Sequence, residues 1–327
     1  KEIQTKLYLD IEDYKRKSGK FKIVGKNGKG KEYILNTDVL IFEGQYINGK
    51  KNGKGKEYNN RGKLIFKGEY LNGKKIGIGK EYNNQGILIF EGEYLNGKKN
   101  GKGKEYNNIG TLIFEGKYLN DERNGKGIEY SFKNDIKFIG EYSNGERNGK
   151  GKEYNYDGKL RFEGVYMKSK VWNGKGFNKN GEVEFEIQEG TGKIKEYNFY
   201  NGEWIFEGEY LNGERNGKGK EFYSKGKLKF EGEYLNGERH GKGKEFYLNG
   251  TLKFEGEYLN GERHGKGKEY NHYGDLKFEG EYLNGKKWHG TGEKYFIKNG
   301  MGNIIECDDK ENIIFKGEIL NGERHGK

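Results

Sequence analysis

The sequence predicts an all-β protein: an elongated, single-layer antiparallel array of β-hairpins, a solenoid or ribbon with two strands per 24-residue repeat. Three observations predict it. Phe42, Phe66, Phe90, Phe114 and Phe138 open successive copies 24 residues apart, and the same spacing returns at Phe206, Phe230, Phe254 and Phe278. The first half of each copy alternates: Leu88, Phe90, Gly92 and Tyr94 fall on one parity and Ile89, Glu91 and Glu93 on the other, the period of a half-buried strand. Asn96-Gly97 then follows, and both central residues of a type I′ hairpin turn need positive φ, which Asn and Gly tolerate best.

Gly101 to Asn107 is the returning strand, and Asn108, Ile109 and Gly110 turn the chain into the next copy at Leu112. Parity places Phe90, Gly92 and Tyr94 on one face with Gly101, Gly103 and Glu105, so rings lie over glycines that would otherwise weaken the strand. The other face carries Glu91, Glu93, Lys102, Lys104 and Tyr106, with Glu near Lys across strands. Two strands ~4.8 Å apart advance each copy by ~10 Å, so about eleven copies make a ribbon of roughly 100 Å, curled by sheet twist. The aromatic-glycine face is expected to line the concave side.

Residues 1–20 carry no repeat and read as an N-terminal cap or extension. Residues 21–161 form a first array, starting with a partial copy in which Gly28 to Tyr33 match the return strand. Asp121 replaces the turn glycine after Asn120, which predicts a weaker hairpin. Residues 162–205 are irregular: the glycine pairs at 174–176 and 190–192 are 16 apart rather than 24, the candidate place for a bend or break. Residues 206–327 form a second array, in which Trp288, Met301 and Cys307 fall in a longer segment before a truncated copy opens at Phe315. The residue before the opening Phe is Ile65, Ile89 and Ile113 early but Lys229, Lys253 and Lys277 late, which predicts a more basic charged face in the second array. The chain begins with Lys and stops at Lys327 partway through a copy, and reads as a piece of a longer or processed protein.

GEYLNGKKNGKGKEY and its later form GEYLNGERHGKGKEF closely resemble the MORN (membrane occupation and recognition nexus) repeat, whose pattern is Tyr/Phe-x-Gly-x-Trp/Tyr, a turn, then a His/Asn-Gly-x-Gly return strand. The resemblance covers the chain from about Gly25 onward, with Tyr94 and its equivalents standing where many members carry Trp. It implies a MORN-type ribbon and an assembly or tethering module at membranes or cytoskeletal structures.

Composition fits such a ribbon. Only 31% of residues are hydrophobic and there is no proline, but 15% are aromatic, which together with strict alternation argues against disorder. A single cysteine excludes an internal disulfide framework and fits a cytoplasmic, reducing compartment. Net charge is +11, yet 62 Lys and Arg against 51 Asp and Glu make a mixed surface rather than a polybasic one.

Catalysis needs a unique constellation and this sequence offers periodic ones: no Ser–His–Asp motif and no phosphate-binding Walker loop is present, so the chain reads as a non-enzyme with no cofactor. His240 and His264 occupy identical repeat positions ~10 Å apart, too far to share a zinc ion, so no metal site is assigned. The leading expectation is a scaffold that binds a protein partner in a groove built from the aromatic rows: Phe66, Phe90 and Phe114 with Tyr70, Tyr94 and Tyr118, continued by Phe230, Tyr234, Phe254 and Tyr258. Self-association into a homo-oligomer is compatible with it. The alternative is a peripheral membrane module whose lysines face anionic lipid: Lys102 and Lys104 early, then Lys218, Lys220, Lys242, Lys244, Lys253, Lys266, Lys268 and Lys277. A third reading is the regulatory repeat segment of a larger enzyme. Nucleic acid is disfavoured, because parity separates the aromatic rings from most of the lysines.

Overall fold

The computed structural model describes residues 19–292, 295–307 and 313–325. The cap expected at residues 1–20 therefore lies almost wholly outside the described residues. The chain forms two compact units, residues 1–158 and 159–327. In the first, strands run from Lys20–Val24 to Glu146–Tyr154, each pairing antiparallel with the next in sequence. In the second, strands from Leu160–Met167 to Glu323–His325 do the same. No α-helix occurs among the described residues.

The hairpin follows from the sequence at each step. Strand Leu88–Leu95 returns as Lys98–Tyr106 through Asn96 and Gly97, with φ of 53° and 91°, the two positive values a type I′ turn requires. The Gly97 N–H then donates to the Lys75 carbonyl at 2.8 Å, tying each tip to the preceding hairpin. Asn107 closes the second turn: its Oδ1 accepts from the Ile109 and Thr111 amides, both at 3.0 Å, the Asx arrangement for which Asn is favoured. The turn at Asp121 keeps the same geometry, with φ of 52° at Asn120 and 78° at Asp121. Its carboxylate accepts from the Lys99 amide at 2.8 Å, a bond that glycine could not make and that offsets the strain of the substitution.

Residues 162–205 contain no break. The compressed pair is a short hairpin, Val183–Gln188 and Thr191–Tyr197, bonded to Lys170–Phe177 on one side and Trp204–Leu211 on the other. Ile187 is buried where the regular copies have Tyr, and Ile194 where they have the second glycine of the return strand. The long segment after Trp288 contains an extra hairpin, Tyr295–Lys298 and Met301–Cys307, turning at Asn299 and Gly300.

Parity fails at one recurring place. Glu105 pairs with Phe114 but Tyr106 pairs with Leu112, so Ile113 is bulged out of the ladder. The same shift isolates Lys253 and Lys277, which decides where those lysines point.

Candidate functional site

Each hairpin has one closed face and one open face. On the closed face Phe90 is boxed on every side. Beneath it lie Gly92 and Gly103; a Cβ on Gly103 would sit 2.6 Å from the Phe90 ring. Tyr94 of its own hairpin and Tyr118 of the next stand edge-on, at 5.7 and 5.1 Å between ring centroids, the favourable T-shaped arrangement. Above it the Lys99 ammonium sits 4.1 Å from the ring centroid, a cation–π lid. Arg123, Arg147, Arg215, Arg239 and Arg263 supply the same lid in later hairpins, at 4.0 to 4.2 Å.

This corrects the expected partner groove. Phe66, Phe90, Phe114, Phe230 and Phe254 are at most 1% exposed, and Tyr70, Tyr94, Tyr118, Tyr234 and Tyr258 at most 6%. A single sheet has no second layer, but long cationic side chains fold back over its rings and take that layer's place. The aromatic rows are the core. They line no open groove.

The lids also clamp neighbouring hairpins. Arg239 donates from Nε and Nη2 to the two oxygens of Glu221, and the Tyr234 hydroxyl donates to the same carboxylate. Burial raises the Glu221 pKa, but the Arg239 bonds and charge, the Tyr234 bond and the Lys229 charge together hold it down to about 2. Glu129, Glu196 and Glu245 are lowered in the same manner, each against burial, by Arg147, Arg215 and Arg263. Lys lids give a poorer fit. Lys99 reaches Glu81 at 3.2 Å, and the buried hydroxyls of Tyr70 and Tyr94 approach Glu57 and Glu81 without the well-formed hydrogen bond that Tyr234 makes to Glu221. Burial first, then the nearby Glu57 and Glu81 charges, push those two phenols up.

The open face is the charged one. In the second unit a shallow trough of about 1230 Å³ runs along residues 193–290. Its walls carry Lys218, Lys220, Lys242, Lys244, Lys266 and Lys268, and the glycine backbone forms its floor. The lysines alternate with glutamates from strand to strand: Lys220 faces Glu207 and Glu231, and Lys244 faces Glu231 and Glu255. Seven lysines meet eight glutamates, so this trough is close to neutral. Lys102 and Lys104 occupy the same face of the first unit, Lys104 in an ion pair with Glu115 at 3.2 Å.

Lys253 and Lys277 are not on this face. The bulge turns Lys253 toward Glu245, 4.0 Å away beside the aromatic row, and the Lys277 charge acts on Glu269 in the same position. The Ile-to-Lys change between the arrays therefore does not make the open face of the second array more basic.

A second trough, of about 810 Å³, lies in the first unit along residues 23–80. It is lined by six lysines and only two glutamates. Sequence reading missed it, although aligning the copies reveals the signal: Lys67 stands where Glu43, Glu91 and Glu115 stand in their copies. The lid arginines were missed as well, because nothing in the sequence beside Arg123 marks it as lying over a ring.

Among the described residues no group of three or more His, Cys, Asp or Glu could hold a metal ion. His240 and His264 face Glu233 and Glu257 across the ladder. No helix among the described residues is long and apolar enough to cross a membrane.

With the two-stranded unit, its glycine-seated aromatic row and its Asn-Gly turn established, comparison with known families is decisive. The family model described as MORN repeat matches seven segments: residues 42–63, 90–111, 114–136, 138–159, 206–227, 230–252 and 254–271. The chain is a MORN-repeat protein. The MORN copies opening at Phe66 and Phe162 are unmatched, yet the first folds as its neighbours do. No curated protein matches the chain. Among solved structures, one described as "Crystal Structure of TcdB2-TccC3 without hypervariable C-terminal region" is similar at 9% identity and a TM-score of 0.17, covering 93% of this chain. The chain spans 22% of the length of that structure.

Proposed function

We infer that this MORN array is a non-catalytic scaffold whose open, charged face receives a protein partner. MORN repeats are repeat-based interaction modules and generally non-enzymatic. The observation that carries the reading is the asymmetry of the two faces. Every regular aromatic row is sealed by a cation, whereas the Lys/Glu face forms a trough along residues 193–290 that no described residue covers. Long, shallow surfaces with recurrent polar groups suit an elongated polypeptide better than a small molecule, which binds in enclosed, largely apolar pockets.

The near-equal charges of the trough along residues 193–290 weigh against the membrane reading. Each lysine near an anionic surface contributes at most ~1 kcal/mol, and the alternating glutamates cancel most of it. Flotation with phosphatidylserine vesicles separates the two readings: attachment that survives physiological salt supports the membrane module and counts against the protein scaffold.

The direct test places a photo-crosslinking residue at Lys242 in the trough, at Leu95 on a hairpin tip and at Lys225 in a turn. Partner adducts concentrated at Lys242 are expected. Adducts only at the tip or turn would overturn the trough as the working surface.

A further inference from the structure

The Lys/Glu ladder of the open face has two charge reversals in the first unit: Lys117 faces Lys102 on one side, and Lys67 faces lysines on both. Across the first unit it runs Lys31, Glu43, Lys56, then Lys67, Lys80, Glu91 and Lys104, each residue facing the next on the neighbouring strand. Lys67 thus has a lysine on either side, where the equivalent Glu231 of the second unit lies between Lys220 and Lys244. The flanking lysines point their charges away from it: Lys56 pairs with Glu43 at 2.9 Å and Lys80 with Glu91 at 2.7 Å. Lys67 is exposed and has no ion pair among the described residues. Like charges directly opposite destabilise a sheet, so this stack has a cost that an alternating Lys/Glu ladder avoids.

The surroundings add apolar surface. Ile78 replaces the lysine found at Lys102 and is 62% exposed, and Ile23, at 63%, lines the same trough. Gln45 further replaces a glutamate there. A bare ammonium in a net-positive trough beside two exposed isoleucines is complementary to a carboxylate followed by an apolar side chain. Single-stranded nucleic acid would need a row of stacking rings, and Tyr33 is the one aromatic in the lining. A planar bilayer meets the rims of a trough, whereas a polypeptide can lie along it.

We propose that the trough of residues 23–80 is a docking site for an acidic, partly apolar protein segment, with Lys67 receiving a carboxylate and Ile78 and Ile23 the apolar side chains. The proposal rests on the scaffold reading and adds to the trough of residues 193–290 another one with its own partner chemistry.

The test is fluorescence anisotropy of the full chain with a labelled peptide alternating Glu and Leu, alongside its Gln–Leu counterpart. One site per chain is expected for the acidic peptide, weakened by salt, and none for the Gln form. Lys67→Glu restores the regular ladder, so it should fold, and should weaken binding tenfold or more. Glu231→Lys reproduces the lysine stack between Lys220 and Lys244 and should add a weaker second site. Equal binding by wild type and Lys67→Glu, or by the Gln peptide, would overturn the proposal. So would Lys67-dependent capture by phosphatidylserine vesicles without peptide binding, or competition by inorganic phosphate as strong as by the peptide. If the acidic peptide fails to bind while partner adducts still form at Lys242, the scaffold stands and the acidic site falls.

Discussion

Arg239 sits over Phe230, 4.0 Å from the ring centroid, and donates to both oxygens of Glu221, at 2.9 and 2.8 Å, joining one MORN hairpin to the one before it. The guanidinium does two jobs because it is planar: one surface covers the ring while its edge matches the carboxylate. A lysine covers the ring but offers a single point contact. Arg239→Lys should therefore destabilise the second unit by about 1 kcal/mol, the scale of one lost charge-assisted bond. The converse change, Lys99→Arg, should stabilise the first unit by a few tenths to about 1 kcal/mol by reproducing the fork onto Glu81. Urea midpoints of the two variants check both signs; a stabilising Arg239→Lys would remove the clamp from the account.

The same clamp sets an acid limit. Glu221 is held at about 2, below the ordinary 4.5, so its folded form binds protons less readily than its unfolded form. Its contribution is complete above pH 4.5 and is lost as pH falls from there through about 2. Far-ultraviolet circular dichroism should show the strand signal intact at pH 5 and falling between about 4 and 2. Arg239→Gln removes the attraction and leaves burial, so the transition should move to higher pH. An unchanged acid midpoint in that variant would assign acid unfolding to other groups.

The repeat, the parity of its faces and the turn chemistry were legible in the sequence because each depends on neighbours within one copy. Phe90, Gly92 and Gly103 share a face as alternation requires, and Asn96-Gly97 turns as its φ preferences demand. What was not legible depends on reach. Nothing local to Lys99 or Arg123 shows that the side chain folds back over a ring, and without that lid the aromatic face reads as open. Lys253 was misplaced for a different reason: a one-residue bulge reverses parity, and the bulge is a property of the pairing rather than of the strand. Lys67 was visible all along, as a departure from the repeat that copy-by-copy alignment exposes.

On the open face, tyrosine reports on the ladder. The Tyr106 hydroxyl donates to Glu91 at 2.8 Å, and burial followed by that bond pushes its pKa up to about 12; Tyr58 and Tyr270 match it through Glu43 and Glu255. A raised folded pKa means stability fully present below the ordinary 10 and lost as pH rises through about 12. Absorbance at the tyrosinate band should therefore show part of the titration delayed to about pH 12, with loss of strand signal accompanying it. Glu91→Gln withdraws the charge, and the Tyr106 share of the delayed phase should shift toward lower pH.

The seat beneath each ring gives the sharpest test of which face is closed. A methyl on Gly103 would stand 2.6 Å from Phe90 and 3.2 Å from Tyr118, and neither ring has room to retreat between its glycine floor and its cation lid. Gly103→Ala should cost about 1–3 kcal/mol, the usual penalty for overfilling a packed site, and Gly103→Val more. Lys102→Gln, one residue away on the open face, should change stability by less than about 0.5 kcal/mol. The contrast between adjacent residues is the point of the measurement: alternation assigns them to opposite faces, and only one of those faces is filled. Thermal midpoints for Gly103→Ala and Lys102→Gln that agree within error would mean that Phe90 is not seated on its glycines and that the charged face is not the one left open.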